Sequence, residues 1–180
     1  MMNDVMLDIE TLDVSASSVI LSIGAVRFDI DQIDSFGPAF SAHLSIADQI
    51  RLDKRTISED TLFWWLGQSD EARNALLSQT REDPSIVLRE LAQFISPTDF
   101  VWGNGSDFDN AILADAYRSK NYPLPWRYRN NRCYRTMKAA FPYVPKPAFV
   151  GIPHNAVDDA RNQALHLQHI RAHIKNEQQA

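Results

Sequence analysis

Apolar positions cluster in short runs in the first third of the chain and at helical spacing after it. Residues 5–10 and 19–28 are short, β-branched and nearly continuous in hydrophobicity, the pattern of strands buried on both faces. A third run, 36–44, predicts another strand. The segments between them, 11–18 and 29–35, are polar and short, so the three strands are expected as a meander of antiparallel neighbours. From Ser58 the spacing changes. Thr61, Leu62, Trp65 and Leu66 recur with helical period, followed by 71–77 and by 84–95, where Pro84 suits a first helical turn.

After Pro97 the run Phe100, Val101, Trp102 stops at Gly103, Asn104 and Gly105, and a helix is predicted over 107–119. Strand, tight glycine turn and helix in that order are the connection that an α/β sheet uses. Residues 123–131 are expected as an extended strand, 133–140 as a helix and 155–175 as the last helix. The segment 142–153, with four prolines and one glycine, reads as a loop rather than a domain boundary. The chain shows no repeat and no low-complexity tract, and its 180 residues suit a single domain spanning 1–180.

Composition narrows the class. Hydrophobic residues at 44% and charged residues at 23% are ordinary for a globular domain and exclude collagen-like or wholly disordered chains. One cysteine, Cys133, excludes an internal disulfide framework and suits a reducing compartment. No window reaches the roughly 18 apolar residues of a membrane span. The expectation is a cytoplasmic, soluble protein. The formal net charge of −5 argues at first against a phosphate-rich partner. Its distribution alters that inference: residues 116–157 contain no Asp or Glu, yet hold Arg118, Lys120, Arg127, Arg129, Arg132, Arg135, Lys138 and Lys146.

Three acidic elements carry candidate chemistry. Asp8 and Glu10 are two apart on a strand, so they share one face at its end. Two neighbouring carboxylates either emerge into solvent or are held together by a hard cation such as Mg²⁺ or Mn²⁺. Asp107 and Asp109 follow the Gly103–Gly105 turn, one suited to capping the helix and the other to projecting over the sheet end; we assign capping to Asp107 and metal binding to Asp109. His154 lies in the proline-rich loop and Asp159 early in the last helix, whose apolar stripe runs through Val157, Ala160, Ala164, Leu167 and Ile174. Taken alone, Asp159 compensates a helix dipole and His154 is a surface residue. Their joint occurrence in this order points further.

Asp8, Glu10 and Thr11, then Asp109 after a Gly-rich strand end, then His154 and Asp159, resemble the three motifs of the DEDDh, or DnaQ-like, 3'-5' exonucleases. Within that superfamily, Thr61, Leu62, Trp64, Trp65 and Gln68, with Trp102 to Gly105, look most like the small group containing RNase AS and phage exonuclease A. The connector 13–18 departs from the Gly or Pro common in the superfamily. The resemblance implies an α/β, ribonuclease H-like fold: a five-stranded mixed sheet, three antiparallel strands followed by parallel ones, flanked by helices. It implies a two-metal hydrolysis of single-stranded RNA or DNA from the 3' end, releasing nucleoside 5'-monophosphates. Asp8 would bridge two Mg²⁺ or Mn²⁺ ions, Glu10 and Asp159 would complete the first site, and Asp109 would serve the second. His154 would be the general base, since an imidazole can take up a proton at neutral pH. Thr11, Leu12, Trp65, Phe108 and Arg132 would contact substrate, one of Trp64 and Trp65 being a core residue and the other a pocket wall. The subgroup implies a homodimer. Setting the four carboxylates aside brings 23 acidic residues close to balance with 18 basic ones, so net charge does not exclude nucleic acid. The competing expectation is a domain of the same fold that binds nucleic acid without turnover.

Overall fold

The computed structural model describes residues 2–77 and 79–179. β1 (Asp4–Thr11), β2 (Ile20–Phe28) and β3 (Phe36–His43) form the antiparallel meander. β4 (Phe100–Gly103) and β5 (Asn131–Cys133) add in parallel on the other side of β1, giving a five-stranded mixed sheet of order β3-β2-β1-β4-β5.

The central position of β1 explains its composition, since both its faces are covered. Three helices, α1 (Ile46–Arg51), α2 (Glu59–Leu66) and α3 (Asp70–Leu77), follow the meander. Val5, Leu7 and Ile9 enter a core with Val101 and with Leu88 and Leu91 of α4 (Pro84–Phe94) and Ile112, Leu113 and Tyr117 of α5 (Ala111–Ser119). Met6, on the opposite face, packs with Val26, Phe28 and Trp102 against Ala160, Ala164 and Leu167 of the last helix, Ala156–Gln179. Asp8 and Glu10 continue the Met6 face and therefore lie on the same side as that last helix.

Local chemistry fixes the remaining elements. Ser58 precedes the helix Glu59–Leu66, and Asp83 caps α4 by accepting the Ser85 N–H at 2.6 Å, with Pro84 in the first turn as expected. Asp70–Leu77 is a separate short helix. One helix, Ile46–Arg51, has too few turns to show a period in the sequence. It is held because the buried Gln49 side chain exchanges two hydrogen bonds with the Ile20 backbone, both 2.8 Å, as a neighbouring strand would.

Two expectations change. The stretch 123–131 is not a strand: pairing with β4 involves only Asn131–Cys133, and Tyr128–Asn130 is a 3₁₀ turn. Pro123 and Pro125 have no N–H to give a ladder, and Trp126 instead sinks into the α4–α5 core, its Nε1–H donating to Asn131 Oδ1 at 2.6 Å. The helix expected from 107 opens as a π-helical turn, Ser106–Asn110, before α5, and no side chain caps it. Asp107 is exposed and caps nothing. The helix expected over 133–140 forms as Tyr134–Ala140. Among the described residues no helix is long and apolar enough to cross a membrane.

The start of the last helix is pressed onto the sheet at one point. Gly24 faces Asp8 across the β1–β2 ladder, and a Cβ on Gly24 would run into the Ala156 carbonyl carbon and the Val157 nitrogen. Only glycine admits this approach. We expect Gly24→Ala to lift the helix start and lower the melting temperature by about 3–10 °C, the effect of an overpacking cost of roughly 1–3 kcal/mol in a domain of this size. Thermal unfolding of parent and variant checks this, and an unchanged midpoint would contradict the close approach.

Candidate active site

The site lies beyond the last rung of the β1–β4 ladder. Parallel pairing runs from Asp4↔Phe100 to Met6↔Trp102 and stops, so the end of β1 diverges from its neighbour. Asp8 and Glu10 stand on this diverging end, and a register shift between Glu10 and Thr11 bends the strand immediately after them. Both carboxylates are buried.

Asp109 reaches the same place because Gly103 has no side chain: a Cβ there would lie 2.9 Å from Asp109 Oδ2. Gly105, at φ 133°, turns the chain in a region that L side chains rarely adopt. The π-helical turn then directs Asp109 inward, 2% exposed, where Oδ1 accepts the Ile9 N–H at 3.3 Å. Its Oδ2 is buried and has no hydrogen-bond partner.

His154 and Asp159 arrive from the other side. His154 has φ 64°, a left-handed conformation that costs a non-glycine residue of order 1 kcal/mol. Its backbone N–H donates to Asp159 Oδ2 at 2.7 Å, tying the loop to the first turn of the helix. Donor atoms of Glu10, His154 and Asp159 lie within 4.8 Å of one another. Asp8 is outside that tight group: its Oδ1 accepts from Gln163 Nε2 at 2.7 Å, one turn along the helix from Asp159. All four carboxylates, with His154 and Arg135, line one cleft of about 210 Å³.

The electrostatics follow from the crowding. Burial pushes the Asp8 and Glu10 carboxyls well above the usual range, and the neighbouring carboxylates push them further. Burial also raises Asp109, to about 7, against the opposing effect of the Ile9 N–H. Burial raises the half-buried Asp159 too, against the opposing effect of the His154 N–H. Oxygen-rich donors, mutual repulsion and an unpartnered buried oxygen on Asp109 fit a hard divalent cation.

An apolar recess of about 410 Å³ adjoins Glu10, walled by Thr11, Val14, Thr61, Trp64, Trp65 and Phe108. Trp65 is 5% exposed and donates its Nε1–H to the Thr11 carbonyl at 2.9 Å, whereas Trp64 is 46% exposed. The Trp64 ring meets the His154 ring edge to face, centroids 5.0 Å apart. Both tryptophans therefore form walls, one anchored in the core and the other open to solvent. Leu12 is not brought to this recess: it packs with Val19, Leu21 and Trp65 underneath. Arg132 is not brought to the cleft either. Its guanidinium lies over the Phe100 ring, 4.4 Å from the centroid, and donates to the Arg129 and Asn131 carbonyls.

Arg135 and Gln163 are site residues that sequence reasoning did not single out. Gln163 had a legible signal, four residues after Asp159 and thus on the same helix face. Arg135 had none beyond its place in the basic segment.

The nuclease domain of 3'hExo, described as a DEDDh family member bound to rAMP, superposes with a TM-score of 0.59 at 11% identity, covering 97% of this chain and 92% of that one. Cell-death related nuclease 4 (CRN-4) superposes with a TM-score of 0.61 at 14% identity, covering 97% of this chain and 64% of that one. At these identities the likeness shows the fold, a ribonuclease H-like mixed sheet. In sequence, an exodeoxyribonuclease of Enterobacteria phage T4 is 25% identical over 129 residues, 65% of this chain. The match spans 56% of the phage enzyme's own length. A family model describing the 3'-5' exoribonuclease Rv2179c-like domain matches residues 3–171, nearly the whole chain. The chain belongs to the Rv2179c-like 3'-5' exoribonuclease domain family.

Proposed function

We propose that the protein is a 3'-5' exonuclease that hydrolyses single-stranded RNA or DNA to nucleoside 5'-monophosphates. The observation that carries this reading is the convergence of Glu10, His154 and Asp159 donors within 4.8 Å, in one cleft with Asp8 and Asp109. Asp8, Glu10, Asp109 and Asp159 would hold two divalent ions, Mg²⁺ or Mn²⁺. When bound, such ions supply Lewis-acid polarisation of the phosphate and neutralise the charge that develops on it.

The chain's own residues do the rest. The recess between Trp64, Trp65 and Phe108 accepts the terminal base, and a base still paired to a second strand would bring its partner against these walls, which supports a single-stranded substrate. His154, on the rim between recess and carboxylates, takes the proton from a water that attacks the phosphorus. The P–O3' bond breaks and the 3' oxygen leaves with the shortened strand. Trp64 and Trp65, edge-on to the His154 ring, limit its rotation. Arg135, which lines the same cleft, faces the developing negative charge.

Oligonucleotides labelled at the 5' or 3' end, as matched single- and double-stranded RNA and DNA, test the reading in Mg²⁺ or Mn²⁺. We expect stepwise shortening from the 3' end, with mononucleotide product and abolition by chelator. Asp8→Asn should lower the rate by at least about 10²-fold, as loss of a pre-aligned charge does, and His154→Ala by about 10²–10⁴-fold as loss of a general base. His154→Ala should keep the thermal shift produced by metal. Products appearing first from the 5' end would refute the polarity, and an undiminished rate in His154→Ala would refute the base.

Stability should depend on pH in a defined direction. The raised carboxyl groups keep protons in the folded protein that the unfolded chain has already released. The metal-free fold is therefore favoured by these groups at acid pH and loses that advantage as pH rises from about 4, the ordinary carboxylate value, through about 7, the Asp109 value. Melting temperatures with chelator should fall between pH 5 and pH 8, while Mg²⁺ or Mn²⁺ should restore stability most at the alkaline end. A chelated midpoint that rises steadily over this interval would show that the carboxylates are not strained.

A further inference from the structure

On the side of the carboxylates away from the apolar recess lies a second pocket, of about 350 Å³. It shares Asn104, Asp159 and Gln163 with the carboxylate cleft, so the two adjoin. Its other walls come from the helix Tyr134–Ala140, which contributes Lys138, and from the proline-rich loop, which contributes Lys146 and Phe149. The carboxylate cleft also shares Ile9, Glu10 and Phe108 with the apolar recess, so it borders both.

The loop wall is held in place by the last helix. Asn162 bonds the Val150 backbone twice, its Oδ1 accepting the N–H at 3.0 Å and its Nδ2 donating to the carbonyl at 2.8 Å. The Asp158 carboxylate accepts the Ile152 N–H at 2.9 Å, and a Cβ on Gly151, at φ 105°, would strike that carboxylate. Further back, the buried His166 joins the Val144 carbonyl at 3.0 Å to the Tyr134 hydroxyl at 2.7 Å. These contacts make the pocket part of the fold rather than a chance fold of loop.

Part of the basic segment is occupied elsewhere. Arg118 is paired with Asp115, Lys120 with Asp53 at 2.6 Å, and Arg132 lies over Phe100. Among the described residues Arg135, Lys138 and Lys146 form no ion pair with an acidic side chain, and the three are close enough that Lys146 and Arg135 act on the Lys138 ammonium, which burial already lowers. Lys138 rests over the Tyr134 ring, 5.3 Å from its centroid. Phe149 is exposed at the pocket's edge, an open aromatic face beside two cations. Cations tracking a backbone with an aromatic face for a base are what a single nucleic-acid strand requires.

We infer that this pocket seats the nucleotide on the 5' side of the scissile bond, with Lys138 and Lys146 holding its phosphate and Phe149 stacking its base. The inference rests on the exonuclease reading above and adds the direction of the strand. The terminal nucleoside occupies the tryptophan recess, the scissile phosphate meets the carboxylates, and the remaining chain leaves over the lysines. Lys138, Lys146 and Phe149 are positioning residues in this arrangement, since they touch the part of the substrate that is not cleaved off.

The test compares two substrates of the full chain in Mn²⁺: a single-stranded hexanucleotide, and the p-nitrophenyl ester of a nucleoside 5'-monophosphate, which has the terminal nucleotide and no upstream chain. Lys138→Ala and Lys146→Ala should each lower the ratio of kcat/KM on the hexanucleotide to that on the ester about tenfold, the loss of one charge-assisted hydrogen bond, mainly through KM. Removing one phosphate contact should also lessen the salt dependence of hexanucleotide binding by about 0.7 in the logarithmic slope. Lys→Arg variants should recover most of the ratio, and Phe149→Leu should lower it without changing the salt slope. An unchanged ratio in both lysine variants, or equal losses on both substrates, would overturn the proposal. Failure of the parent protein to cleave either substrate would instead overturn the exonuclease reading.

Discussion

Repulsion among Asp8, Glu10, Asp109 and Asp159 is the constraint to which the surrounding structure answers. Each carboxylate comes from an element packed for other reasons: a central strand, a glycine-turned helix start and a long surface helix. Burial in the shared cleft raises the proton affinity of every one of them, and the neighbouring carboxylates raise Asp8 and Glu10 further. The protein offers only partial relief, in the Ile9 N–H to Asp109, the Gln163 amide to Asp8 and the His154 N–H to Asp159. Buried like charges with so few donors are stable when protonated or matched by cations, so the fold's electrostatics suit the metal ions of the proposed chemistry.

Close backbone approaches make that convergence possible. Gly24 lets the last helix touch the sheet opposite Asp8, and Gly103 leaves space for Asp109. Neither glycine could contribute to catalysis by its own chemistry. Both determine distances between groups that do, which is why the positions of the acids depend on residues with no functional atoms. The left-handed His154 belongs with them, since its backbone conformation is kept by the hydrogen bond to Asp159.

The three adjoining clefts differ in character in a way that suits a strand end: apolar and aromatic, then acidic, then basic. The segment without acids, 116–157, looks like one continuous basic surface in the sequence, but the fold divides it. Some of its cations are spent on ion pairs with Asp53 and Asp115 or on an aromatic ring, and Arg135, Lys138 and Lys146 are left facing the clefts. A net negative chain can therefore present a locally positive path beside its own carboxylates.

Much of this was legible in the order of residues. Continuous apolar runs and β-branching marked the three-strand meander, and the glycines after Trp102 marked the turn that carries Asp109, because strand pattern and turn chemistry act over a few residues. The sequence also placed Asp8 and Glu10 on one face and separated Asp159 from His154 by five positions. It did not show that residues 123–130 leave the sheet, that Gln49 substitutes for a strand, or that Trp65 is anchored while Trp64 stands open. Nor did it distinguish Arg135 from Arg132, three residues away with the same side chain. Local periodicity determines which face a residue occupies within its own element; which elements meet, and therefore which charge enters the cleft, is set by packing between segments as far apart as Asp8 and Gln163, and only the tertiary structure decided it.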